Sequence, residues 1–173
     1  LALAGCESGK NPVTGITASA APQLEKGKMT YRTNPKTGEK VSVLGYGCMR
    51  WPTLHDPDET LDQETINRLV DKALEYGVNY FDTSPAYCKG RSERATGIAL
   101  ARHPRESYYI ATKLSNFSPS TWSREESLKM YHNSFKELQV DYIDYLLLHG
   151  IGMGEDGMEA LNAVSYTHLR AHE

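Results

Sequence analysis

One alternation constrains this sequence more than anything else in it. Short apolar runs recur at 41–45 (V-S-V-L-G), 78–83 (V-N-Y-F-D-T), 108–113 (Y-Y-I-A-T-K) and 142–149 (Y-I-D-Y-L-L-L-H), and amphipathic stretches separate them. In the first of these stretches Ile66, Leu69, Val70, Ala73 and Leu74 fall at i, i+3, i+4, i+7 and i+8, which predicts a helix stopped by Gly77. A second helix is expected from about Ser92, with Ala95, Ile98 and Ala99 on one face and Pro104 just beyond its end. Ser123 to Glu126 has the S-x-x-E form of a capping box and opens a third, whose apolar positions are Leu128, Tyr131, Phe135 and Leu138. Strand followed by helix, at a period of roughly 30 to 36 residues, predicts right-handed βαβ units on a parallel sheet.

A hairpin precedes the alternation. M-T-Y-R-T leads into N-P-K-T-G-E-K, rich in turn residues, and V-S-V-L-G returns. Doubly wound sheets and (β/α)8 barrels share such a pattern. The turn after the first strand, G-Y-G-C-M-R, lacks the third glycine of a dinucleotide fingerprint, which weakens the doubly wound alternative. A complete barrel takes about 250 residues. The expected fold is therefore α/β: about four βα units, the first half of a (β/α)8 TIM barrel, behind a β-hairpin.

Composition closes off other classes. Nineteen Lys and Arg against 22 Asp and Glu give a net charge of −3, no footprint for nucleic acid. No apolar run approaches the ~20 residues of a membrane helix. Cys6, Cys48 and Cys88 have neither the spacing of a zinc site nor the number of a disulfide framework. A metal-dependent barrel hydrolase fails on ligands, since no H-x-H or H-x-x-x-H follows any strand.

The two ends differ in character from the middle. The chain opens L-A-L-A-G-C without Met, and Leu3-Ala4-Gly5-Cys6 has the form of a bacterial lipobox. The expectation is a signal-peptide remnant and flexible tether over residues 1–28, a barrel domain over 29–163, and a membrane association made only through lipid on Cys6. That places the protein at the cell envelope, with the cytoplasm as the alternative. Residues 164–173, S-Y-T-H-L-R-A-H-E after Val164, resemble a translated sequencing adapter and carry no functional reading.

The strand ends carry the chemistry. The second strand ends on Asp82 with Tyr87 in the loop after it, the third on Lys113 and the fourth on His149. Parallel neighbours present their C-terminal ends on one face, where barrel enzymes place their active sites. A buried Asp beside a buried Lys is tolerable because each offsets the other's desolvation. A lysine cation near a tyrosine hydroxyl favours the phenolate, and a histidine there can share the same substrate oxygen. Singly, each residue has a blander reading: a loop cap, a surface tyrosine, a snorkelling lysine, a core histidine. Together, on successive strands, they predict a tyrosine general acid.

G-Y-G-C-M-R, Y-F-D-T-S-P-A-Y, A-T-K-L and L-L-L-H-G, in this order and spacing, resemble the aldo/keto reductase superfamily over about residues 29–162. The resemblance implies reduction of an aldehyde or ketone with NADPH or NADH. It implies Tyr87 as proton donor, Asp82 and Lys113 as the pair that tunes it, and His149 as substrate orienter. It also puts Gly47, Cys48 and Met49 near the nicotinamide, with Asp82 beside them. G-C-M-R is similar to a bacterial subgroup that often carries an iron–sulfur module, whose ligands would lie past residue 173. Half a barrel is expected to turn over little by itself. The competing expectation is a lipid-anchored, barrel-derived binding protein without catalysis.

Overall fold

The computed structural model describes residues 26–150. The lipobox, most of the tether and everything after Gly150 lie outside the described residues. Two sheets are present. The smaller is an antiparallel hairpin of β1 (Tyr31–Thr33) and β2 (Lys40–Ser42). The larger is parallel, in the order β3 (Tyr46–Gly47), β4 (Tyr80–Asp82), β5 (Tyr109–Leu114) and β6 (Tyr145–Leu148). Its strands lie side by side in chain order, as consecutive βαβ units require. Helices α1 (Gln63–Glu75), α2 (Ser92–Leu100) and α3 (Arg124–Leu138) link them.

The first parallel strand is not where the sequence puts it. V-S-V-L-G supplies only the return strand of the hairpin, and the sheet begins with the next residue, at Tyr46–Gly47, inside the expected turn. Tyr46 earns the place by stacking its ring on Trp51 and Phe81, with centroids 5.3 and 5.8 Å away. Val43 and Leu44, the more apolar pair, stay exposed between the two sheets.

Local chemistry explains the helix ends. Asp62 caps α1 by accepting from the Thr65 amide at 3.0 Å and its hydroxyl at 2.6 Å. Gly77, at φ +87°, ends it. Ser123 caps α3 through the Glu126 amide at 3.1 Å. Ile66, Val70 and Ala73 of α1 are buried as expected, in one core with Phe81, Ile110, Ala99, Leu100 and Leu138.

Helix α3 is rotated from its expected face. Ser127, Ser134 and Leu138 are buried, whereas Leu128, Tyr131 and Phe135 are only half-buried. The cause is the close approach of α2: a Cβ on Gly97 would lie 2.5 Å from the Leu138 carbonyl oxygen. Helices that close need small residues between them, so serines take the contact face.

Candidate active site

Asp82 is the last residue of β4, Lys113 the last but one of β5, and His149 follows β6 directly, its amide donating to the Leu114 carbonyl at 3.0 Å. They do not share one register, as equivalent strand ends would. Asp82 lies opposite Ala111, two residues before Lys113, and Lys113 lies opposite Leu147, two before His149. A stagger of two keeps all three on one face of a period-two strand. Strand tilt in a closing barrel then offsets the stagger.

The lysine sits at the centre. It is 9% exposed, and its ammonium donates to Asp82 Oδ1 at 2.5 Å and to the Thr83 carbonyl at 2.9 Å. Those partners make its burial affordable. The same nitrogen is 4.9 Å from the centroid of the Tyr87 ring. That ring meets His149 edge-on, with centroids 5.4 Å apart. All four expected residues are therefore brought together.

Tyr87 is held by an unusual stretch of backbone. Cys88, Lys89 and Gly90 are all left-handed, at φ of 51°, 55° and 83°. For the two non-glycine residues this costs roughly 1–2 kcal/mol each. The strain turns the chain from the loop after β4 into α2 within four residues, and it is fixed by the Cys88 thiol donating to the Met49 carbonyl at 3.3 Å.

Sequence reasoning missed the support under His149. Its Nδ1 lies 2.7 Å from the Ser115 hydroxyl and 3.1 Å from that of Ser84, and the two hydroxyl oxygens are 2.9 Å apart. With Ser84 donating to the Ser115 hydroxyl and Ser115 donating to the single lone pair of Nδ1, the ring proton sits on Nε2, which has no protein partner among the described residues. Partial burial, and then the Lys113 cation, push the imidazole below its ordinary range, while Asp82 opposes them more weakly. A neutral ring that donates from Nε2 suits a substrate oxygen. Phe117 lies over it at 4.7 Å. The only signal for this pair was position: Ser84 follows Asp82 by two, as Ser115 follows Lys113.

The expected nicotinamide residues divide. Gly47 pairs with Asp82, and a Cβ there would meet nothing within 4 Å. Met49 is 47% exposed. Cys48 is wholly buried, its thiol pushed up to about 12 by burial, so its side chain belongs to the core. A bare glycine opposite Asp82, with an exposed methionine two residues on, leaves room for a flat ring at the strand mouth. Among the described residues no three His, Cys, Asp or Glu gather to hold a metal ion, and no helix is long and apolar enough to cross a membrane.

A parallel α/β sheet with a Lys–Asp pair, a tyrosine and a histidine at its C-terminal mouth defines a barrel-type site, and comparison with known proteins narrows the class. The chain belongs to the aldo/keto reductase family, whose model matches residues 43–166. It is 33% identical over 130 residues to L-galactose dehydrogenase of Arabidopsis thaliana, covering 73% of this chain and 40% of that protein. It is 32% identical over 129 residues to the uncharacterised oxidoreductase YqkF of Bacillus subtilis, covering 69% and 38%. Among solved structures, the holo form of aldo-keto reductase AKR11C1 from Bacillus halodurans superposes with a TM-score of 0.61 at 30% identity, over 80% of this chain and 46% of that one. The chain thus spans well under two thirds of the length of the relatives it matches, and its four parallel strands form part of a barrel.

Proposed function

We propose that the full-length protein reduces an aldehyde or ketone to the alcohol at the expense of NADPH or NADH, with Tyr87 as proton donor. The observation that carries this reading is the buried Lys113 ammonium, fixed by Asp82 and Thr83 and lying against the Tyr87 ring. When bound, the nicotinamide supplies the hydride; Gly47 and Met49, beside Asp82, are the residues that would hold its ring. Tyr87 and Nε2 of His149 donate to the carbonyl oxygen and orient it. As negative charge builds on that oxygen, the Tyr87 proton moves onto it. The charge left on the phenolate is offset by the Lys113 ammonium lying over its ring, and Asp82 holds that ammonium in place. General acid catalysis of this kind contributes roughly 10²–10⁴-fold.

Two further readings are proposed with it. These 173 residues by themselves turn over little or nothing, because among the described residues no further strand pairs with β6, where Leu146 and Leu147 are exposed. The L-A-G-C run puts the protein at the cell envelope through lipid on Cys6, which partition into detergent, lost in Cys6→Ser, would test.

The decisive experiment is to titrate the full-length protein with NADPH and with NADH, following tryptophan fluorescence, and then to add a panel of small aldehydes. Saturable quenching and oxidation of the nucleotide are expected. Binding to neither nucleotide would sink the reductase reading and leave the binding-protein alternative.

A further inference from the structure

Helix α2 begins with two buried polar residues that the chemistry above does not use. Ser92 is fully buried and Glu93 is 2% exposed. The Ser92 hydroxyl donates to the Cys48 carbonyl at 2.7 Å, just past β3, and accepts from the Thr83 hydroxyl at 2.9 Å, just past β4. Glu93 Oε1 accepts from the Thr112 hydroxyl on β5 at 2.5 Å. The first turn of one helix thus ties down the ends of three consecutive strands.

Each tie is one covalent step from the site. The Thr83 carbonyl that receives the Lys113 ammonium belongs to the residue Ser92 holds. Thr112 precedes Lys113 and alternates with it across the sheet, so the glutamate grips the helix side of the same peptide that presents the lysine on the other. The Cys48 amide donates to the Asp82 carbonyl at 2.8 Å, beside the Ser92 contact.

We propose that Ser92 and Glu93 are positioning residues that set the Lys113–Asp82 pair against Tyr87 from the far side of the sheet. This rests on the reductase reading of the site. A leucine would fill the volume of Glu93 without desolvating a carboxyl group. Burial pushes that carboxyl above its usual range, and the Thr112 and Ser134 hydroxyls oppose the shift. From α3, Glu137 is the other charged group facing it, and Arg94 lies 3.9 Å from Glu137. The group is a poor stabiliser and a directional acceptor.

The test uses the full-length protein, four single variants and one double. Glu93→Leu and Thr112→Val each remove one side of the tie, and Ser92→Ala removes the other clamp. Each is expected to lower kcat roughly tenfold with KM changed by less than about twofold, since misplacing a tuned group by a fraction of an ångström acts on the transition state. Combining Glu93→Leu with Thr112→Val adds little. Glu93→Gln, which keeps the acceptor, recovers most of the loss. An NMR titration of the His149 ring, which needs neither substrate nor nucleotide, shifts in Glu93→Leu and Thr112→Val and returns in Glu93→Gln, because that imidazole senses Lys113 and Asp82. Lower stability with an unmoved His149 titration and an unchanged pH profile of kcat would overturn the proposal. If the wild-type protein reduces no carbonyl compound, the reductase reading fails, and the His149 titration still decides whether Ser92 and Glu93 position the pair.

Discussion

The two ends of the parallel sheet each hold an ion pair between neighbouring elements, and they are built for opposite purposes. At the mouth, Lys113 spends its donors on one carboxylate oxygen and one carbonyl, and lies against Tyr87. At the base, Arg105 donates to Asp144 Oδ2 at 2.6 Å, to the Tyr108 carbonyl at 2.8 Å and to the Tyr142 carbonyl at 3.0 Å, and stacks on the Tyr142 ring at 3.8 Å. Asp144 also accepts from the Ile110 amide at 2.8 Å. The base pair is a planar, permanently charged fork whose two terminal nitrogens are taken by one carboxylate oxygen and two backbone carbonyls, with Nε buried and left without a partner. The mouth pair is a compact ammonium whose charge is left to act on a neighbour. The choice of Lys or Arg separates chemistry from support.

Substitution should break that contrast in a graded way. The largest effect is expected from Tyr87→Phe in the full-length protein: loss of carbonyl reduction by roughly 10²–10⁴-fold, with nucleotide binding and thermal stability nearly intact. Retained turnover would remove the proton-donor role. Lys113→Arg keeps the charge and should still cut kcat severely, because the fork cannot occupy the space between Asp82, Thr83 and Tyr87.

At the base the readout reverses. Arg105→Met leaves Asp144 buried without its partner and should cost about 3–5 kcal/mol in urea unfolding, while kcat per folded molecule stays level. An activity loss as large as that of Lys113→Arg would erase the distinction between the two ends. A smaller loss, about 1–3 kcal/mol, is expected from Gly97→Ala, whose Cβ forces α2 away from Leu138.

The finest effect is one of pH. His149 is held below its ordinary range in the folded chain, so between its folded and unfolded values the unfolded chain binds the extra proton. Stability therefore rises with pH through this window: it is fully present above the unfolded value of about 6.5 and is lost as pH falls below that through the lower folded value. Urea midpoints across that window should show the slope, and His149→Gln should flatten it.

Much of this was legible because strand ends are conspicuous: an acid, a lysine and a histidine closing apolar runs have little other reason to stand there. What escaped notice was what periodicity does not encode. The Tyr46–Gly47 strand hid because two ring stacks, and not an apolar run, hold it in place. The true face of α3 hid because Gly97 brings α2 so near that serines pack better than leucines. Ser84 and Ser115 hid because a serine looks the same in a turn as under an imidazole. The two-residue stagger is a property of the closed sheet, visible in no single strand.

The order of strands in the sheet has a consequence in time. β3, β4, β5 and β6 lie side by side in the sequence in which a ribosome would release them. Each pairs with a strand made on the order of thirty residues earlier, which at 5–20 residues per second is only a few seconds older. Within this run of four, no strand has to wait for a distant partner on the side where it pairs with its predecessor, or thread between two placed already. The wall that carries Asp82, Lys113 and His149 can thus be laid down one course at a time, and the site is assembled in the order it is translated.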